Sequence, residues 1–331
     1  MANDQGLDRR TSEARNRSRR GRWATRPAQI PLAGWKDIFS RVKAGIKEDN
    51  VALLAAGVAF YTVLALFPAV IAAVTLYGLV ADPVQIEQQI GSSVGGLPQA
   101  GPIILNQIRS VATSSSSAGL SIGAIAGLAG ALYSASIGVN GIIKGVNVVY
   151  CEQETRGVLK VRALALLLTL GALVAGLMAI GLVAVLPAVV DSLGLGSSGE
   201  TLAKLLRWPV LAVLMIGGLA LIYRYAPDRE NAQLQWVSWG AVIATVLWLI
   251  GSGLFSLYVS NFSNYGAVYG SIAGIIVLLL WLFLTSFVFL LGAEINAEME
   301  RQTCRDSTTG EEKPLGSRGA QAADTVGEPA D

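Results

Sequence analysis

From Asn231 to Ala293 the chain carries no Asp, Glu, Lys or Arg, and the run stops at Gly292-Ala293-Glu294-Ile295-Asn296-Ala297-Glu298. A bilayer's hydrocarbon core is about 30 Å thick and one crossing helix uses roughly 20 apolar residues, so this run has room for two crossings. The turn signal Asn261-Phe262-Ser263-Asn264-Tyr265-Gly266 divides it into spans over 236–260 and 269–293. Four further apolar runs precede it, at 51–80, 120–143, 163–190 and 202–225. The first contains Pro68, which bends a helix by removing one backbone hydrogen bond. Ahead of them Trp35, Ile38, Phe39, Val42 and Ile46 recur at helical spacing among Lys36, Arg41, Lys43 and Lys47. That stretch predicts an amphipathic helix on the inner membrane surface.

The pattern predicts an all-α integral membrane protein: six transmembrane helices with an amphipathic N-terminal interfacial helix. Residues 1–34 form a disordered Arg-rich cytoplasmic arm, 35–301 the six-helix membrane domain, and 302–331 a disordered cytoplasmic tail rich in Gly, Thr, Ala and acids. Between the first two spans, residues 82–118 carry two weak helical patterns and are expected to pack at the outer mouth of the helices.

Composition changes the picture in three ways. With 53% hydrophobic and 15% charged residues and a mean hydropathy of +0.53, the chain lies outside the range of soluble domains. It contains no histidine, which removes the commonest general base and metal ligand. Its two cysteines, Cys151 and Cys304, are far apart and suggest neither a disulfide framework nor a thiolate metal site. Of the 25 lysines and arginines, all but Arg109, Lys204 and Arg207 fall on the N-terminal side of a six-span topology. The positive-inside rule therefore predicts both termini in the cytoplasm. The basic arm reads first as this topology signal; binding of anionic lipid head groups or nucleic acid stays open.

Gly119, Gly123 and Gly127 recur every four residues at the start of the second span, and Gly266, Gly270 and Gly274 repeat the spacing at the start of the last. Small residues at this spacing let helix backbones approach in lipid, so both faces are predicted packing sites. No nucleophile with its base, phosphate loop or acid cluster appears at catalytic spacing, and no cofactor is called for. The polar groups near membrane depth are Tyr61, Asn140, Lys144, Arg224, Tyr265, Tyr269, Glu294, Asn296 and Glu298. They mark either the membrane interface or a polar path through it. On the second reading Glu294 contacts Lys144 or Arg224 and closes a path lined partly by Tyr61 and Asn140. Glu298 lies nearer water.

Several segments carry a resemblance: Asp49-Asn50 through Ala55-Ala56 to Phe60-Tyr61 and Pro68; Glu154-Thr155-Arg156-Gly157; Tyr223-Arg224-Tyr225-Ala226-Pro227; Tyr265-Gly266 with Tyr269-Gly270-Ser271; and the closing Gly292 to Glu298 motif. Over about residues 36 to 301 the chain resembles the YihY/BrkB family of bacterial inner-membrane proteins. The resemblance implies a multi-pass protein of the cytoplasmic (inner) membrane, with envelope lipid transport and serum resistance as associated roles. Some relatives carry a ribonuclease BN label, against which the absence of histidine and the scattered acids speak. The function expected is transport or flipping of an envelope lipid or other amphiphile. The alternatives are a scaffold whose basic arm recruits a partner and, third, a membrane-embedded enzyme. The expected partners are membrane lipids, with anionic head groups at the arm and no specific nucleic acid; a homo-oligomer stays open.

Overall fold

The structure, a computed structural model, describes residues 19–78, 122–192, 196–260 and 271–330. Their helices are α1 (Leu32–Glu48), α2 (Val51–Gly78), α3 (Ile122–Val149), α4 (Val158–Ser192), α5 (Gly196–Tyr225), α6 (Leu234–Ser260), α7 (Ser271–Glu300) and the short α8 (Gln321–Asp324). No strand occurs among the described residues, and one isolated antiparallel bridge joins Ala232 to Thr308. Among the described residues, five stretches are long and apolar enough to cross a membrane: Ala126–Val149, Val158–Val183, Leu205–Tyr225, Leu234–Ser260 and Ala273–Glu300. Leu32–Glu48 and Val51–Leu66 pass the same test together across a bend of 62°, which makes a sixth. The chain is thus an all-α membrane protein. Large apolar side chains such as Leu167, Met178, Val213 and Leu254 stand exposed on α4, α5 and α6, as contact with lipid demands and contact with water does not favour.

The bend between α1 and α2 has a local cause. Asn50 sits at φ 51°, in the left-handed region that Asn tolerates better than most residues. α2 then runs on through Pro68 without interruption.

Two compact units divide the chain. The first comprises residues 1–59, 142–156 and 212–331, and the second 60–141 and 157–211. In the first, α6 packs along α7 and α1 crosses the end of α7. The approach of α6 and α7 is close because their contact residues are small. A Cβ on Gly240 would strike the Gly292 carbonyl and the Asn296 side chain, and one on Gly292 would lie 2.7 Å from Ala244 Cβ. Farther along the pair, Trp248 Nε1 donates to Thr285 Oγ1 at 3.1 Å and its ring meets Trp281 edge-on. The core of this unit gathers Ala24, Ile30, Ile38, Val42, Trp236, Ile295 and Met299. The apolar stripe of α1 divides accordingly: Ile38 and Val42 are buried by protein, while Phe39 stays 55% exposed. In the second unit a Cβ on Gly138 would lie 3.3 Å from Ala65 Cβ, and Arg162 stacks over the Tyr133 ring at 5.1 Å.

The glycine spacing does not coincide with these contacts. Among the described residues, nothing lies within 4 Å of a Cβ built on Gly127 or Gly274. Gly119, Gly266 and Gly270 lie outside the described residues, as does the 82–118 connection, and Gly123 falls within α3. Close backbone approach occurs instead at Gly138, Gly240 and Gly292.

The described parts of the arm and the tail, expected to be disordered, are folded onto one another. Arg22 donates to the carbonyls of Gly327 (2.6 Å) and Arg301 (3.3 Å). Gln302 Nε2 donates to Arg20 O at 2.7 Å, and Cys304 N to Arg22 O at 2.8 Å. Arg318, buried, holds the tail's own turns through the carbonyls of Ala323, Cys304 and Arg305 at 2.6, 2.7 and 3.0 Å. Guanidinium groups supply up to five donors each, enough to satisfy the carbonyls of irregular chain. Composition alone cannot show two low-hydrophobicity segments satisfying each other.

Candidate functional site at the end of the last span

The apolar run ends at Ala293, but the helix does not. α7 continues to Glu300, and Glu294, Asn296, Glu298 and Glu300 are all buried. At 3.6 residues per turn, positions four apart share a face. Asn296 and Glu300 therefore point one way, Glu294 and Glu298 another.

On the first face Asn296 bridges to α6, accepting from Gly240 N at 2.8 Å and donating to Val237 O at 3.1 Å. Glu300 receives Arg229 Nη2 at 2.6 Å with both side chains essentially solvent-free, 1% and 0% exposed. Ser307 Oγ adds a second bond to the same carboxylate oxygen at 2.6 Å. The Arg229 guanidinium also lies 4.9 Å over the Tyr150 ring. Burial opposes the charge on Arg229, but Glu300 outweighs it and holds the guanidinium above its ordinary pKa.

On the second face Glu298 takes two arginines. Arg41 Nε from α1 contacts Oε2, and Arg301 Nη1 reaches Oε1 at 2.6 Å. Arg41 is further fixed by Gln302 Oε1 at 2.8 Å and the Glu328 carbonyl at 2.8 Å. One turn back, Glu294 is 2% exposed and its Oε2 has no hydrogen-bond partner. Gly45 makes room for it, since a Cβ there would run into the Glu294 carboxylate.

The neighbouring loop is tied by charge. Arg156 Nε and Nη2 grip Glu154 Oε1 and Oε2 at 2.7 and 2.6 Å, and Nη2 also donates to Ala226 O at 2.8 Å. Asp228 accepts the Thr155 amide and hydroxyl at 2.6 Å each, and its own amide donates to Asn147 Oδ1 at 2.8 Å. The Arg156 fork holds the Glu154 carboxyl below the usual carboxylate range. Burial alone would raise Asp228, but the bonds from Thr155 prevail and it too sits low. Burial pushes the Cys151 thiol up, which keeps it in the unreactive neutral form.

These elements line a half-open cavity of about 400 Å³. Its walls include Arg41, Gly45, Glu48 and Asp49 from α1 and its end, Tyr150 and Cys151, Glu294, Glu298 and Arg301 from α7 and its end, and Gln321, Thr325 and Glu328 from the tail.

Of the residues singled out in sequence, the structure brings Glu294, Asn296 and Glu298 together at this end of α7. The partner assignment changes. No ion pair joins Glu294 to Lys144, which is exposed, or to Arg224, which stacks over Tyr225 at 5.4 Å. Glu298, expected nearer water, is 3% exposed and doubly paired. Tyr61, exposed, and Asn140, half-buried, belong to the other unit, and Tyr265 and Tyr269 lie outside the described residues. Sequence reasoning missed Arg41, Asp49, Arg229 and Glu300. Asp49 stands in a recognised motif and Arg229 in the charged Asp228-Arg229-Glu230 turn, but nothing in the linear pattern shows either reaching α7.

The chain is 33% identical over 276 residues to the ribonuclease-like protein YfkH of Bacillus subtilis, covering 81% of this chain and 95% of that one. It is 26% identical over 262 residues to a UPF0761 membrane protein of Psychromonas ingrahamii (77% and 84%), and 25% over 274 residues to one of Alteromonas mediterranea (80% and 88%). No solved structure matches. The family described as Virulence factor BrkB matches residues 42–315, from the middle of α1 to the folded tail, and the chain belongs to that family of membrane proteins.

Proposed function

We propose that this protein moves an envelope lipid or another amphiphile through the bacterial cytoplasmic membrane, with both termini in the cytoplasm and membrane lipids as its partners. The observation that carries the reading is Glu294: a buried acid without a partner, lining a polar cavity at the end of the last span. Acids at such positions are costly and tend to mark substrate or ion paths. The ribonuclease-like wording belongs to the Bacillus relative. Hydrolytic nucleases gather metal-holding donors, and among the described residues no three His, Cys, Asp or Glu side chains come together in that way. The scaffold alternative would draw on arm arginines that face outward, Arg19 and Arg26 among the described residues, since Arg22 is held by the tail's carbonyls and Arg20 by Asp37 at 2.6 Å.

The test is reconstitution into liposomes containing a fluorescent lipid, with a membrane-impermeant quencher reporting transfer between leaflets. The wild type is expected to accelerate transfer, and Glu294→Gln at equal protein density to slow it severalfold. Wild-type liposomes that transfer no faster than protein-free ones would overturn the reading.

A further inference from the structure

The charges around the cavity do not balance. Two cations line it, Arg41 and Arg301, and both are held by the single carboxylate of Glu298. Glu294, Asp49, Glu48 and the exposed Glu328 also line it, and none of these four side chains is held by a cation among the described residues. They stand at graded exposure: Glu294 buried, Asp49 half-buried, Glu48 open to solvent. A carboxylate that is 98% removed from water, with one oxygen lacking any donor, loses several kcal/mol of hydration, a loss that a proton, a donor or a cation offsets.

The shape of the site narrows the cation. No three acids converge closely enough to ligate a metal ion among the described residues. A volume of about 400 Å³ is also far larger than a bare ion needs, a water molecule's share of the liquid being about 30 Å³. A primary ammonium carries three N–H donors, which suit separated carboxylates, and its organic remainder can occupy the space beyond. We propose that this cavity binds a primary ammonium group, with Glu294 as its deep anchor and Asp49 as the second acceptor. Such a group comes either from the amino head group of a lipid or from a free polyamine. The inference rests on the amphiphile reading above and gives its substrate a chemical class.

The experiment is calorimetric titration of the purified full-length protein in detergent with three probes: glycerophosphoethanolamine, spermidine and glycerophosphocholine. The last has a quaternary nitrogen and no N–H donor. At least one primary amine is expected to bind, glycerophosphocholine to bind more weakly, and Glu294→Gln to lose about tenfold or more in affinity. Asp49→Asn serves as a second variant with a smaller loss. Preference for glycerophosphoethanolamine assigns the lipid head group, and preference for spermidine assigns the free amine; both support the site. No binding of either amine by the wild type, or equal binding by Glu294→Gln, overturns it. If the wild type transfers lipid but binds no amine, the site falls and the transport reading stands; amine binding without transfer leaves the site and removes the transport.

Discussion

Arg229 and Glu300 form an ion pair almost fully withdrawn from water, and removing one partner should be far more harmful than removing both. Arg229→Met leaves the Glu300 carboxylate buried with only Ser307 to solvate it, and also strips the cation from the Tyr150 ring. Breaking a buried pair costs about 3–5 kcal/mol, to which the lost cation–π contact adds roughly 0.5–2 kcal/mol. Glu300→Leu leaves a buried guanidinium and should cost a similar amount. The double variant replaces the pair by apolar groups of comparable volume, a change that is often neutral, minus about 1 kcal/mol for the Ser307 bond. The expected coupling between the two sites is therefore at least about 3 kcal/mol. Reversible unfolding of the four proteins in mixed micelles with rising SDS measures it. A coupling below about 1 kcal/mol, the range of an exposed pair, would show that this contact is not the buried pair that its geometry describes.

Two further outcomes follow from the packing and the loop. Gly240→Ala puts a methyl group into the Gly292 carbonyl and Asn296, and should destabilise by about 1–3 kcal/mol. Gly127→Ala meets open space among the described residues and should be neutral or gain up to about 1 kcal/mol from helix propensity. Equal effects in a detergent thermal melt would refute the distinction. The second outcome concerns acid. Glu154 and Asp228 are held below their ordinary values of 4.5 and 3.8, so the stability they contribute is present above those values and is lost as pH falls through and beneath them. The wild-type melting temperature should drop on acidification through that window, and Asp228→Asn should show a smaller drop from a lower starting point. Parallel pH profiles would contradict the assignment.

The all-α membrane character was legible because lipid imposes a single requirement, an uninterrupted apolar length, which five described helical stretches and the bent pair of α1 with α2 meet. The end of α7 was not legible by the same rule. Charge-free length stops at Ala293, but a helix is not bound to stop where charge begins: α7 runs on to Glu300, and its polar side chains there are held by Arg41 of α1, Gly240 of α6 and the Arg229 turn. In the sequence the closing motif stands out as a site, but the pattern points for its cations to Lys144 and Arg224 at the ends of other spans. Arg41 comes instead from an amphipathic helix that the turn at Asn50 folds across α7, a rotation no linear pattern encodes. The glycines mislead for a related reason. Spacing four apart says that a face is smooth, not what meets it, and the α6–α7 contact uses Gly240 with Ala244 against Gly292.

The buried acids of α7 also lie at the wrong end of a helix. A C-terminus carries the negative pole of the helix dipole, and acids there cost rather than stabilise unless something cationic answers them. The fold answers two of the three by bringing arginines from distant parts of the chain, Arg41 to Glu298, where the nearby Arg301 joins it, and Arg229 to Glu300. Those contacts join α1, the Asp228-Arg229-Glu230 turn and α7, so their role is to hold the unit together. Glu294 has the same burial and the same dipole against it, and a glycine on α1 that leaves it space, but no cation. An acid in that position that makes no contact holding the fold together is replaceable by Gln, or by Leu, with a gain in stability. Glu294→Gln should accordingly raise the SDS midpoint while Arg41→Met lowers it, separating the acid that serves a ligand from those that serve the fold. A Glu294→Gln protein that unfolds as early as Arg41→Met would place Glu294 among the structural acids and remove the ground for a ligand at this site.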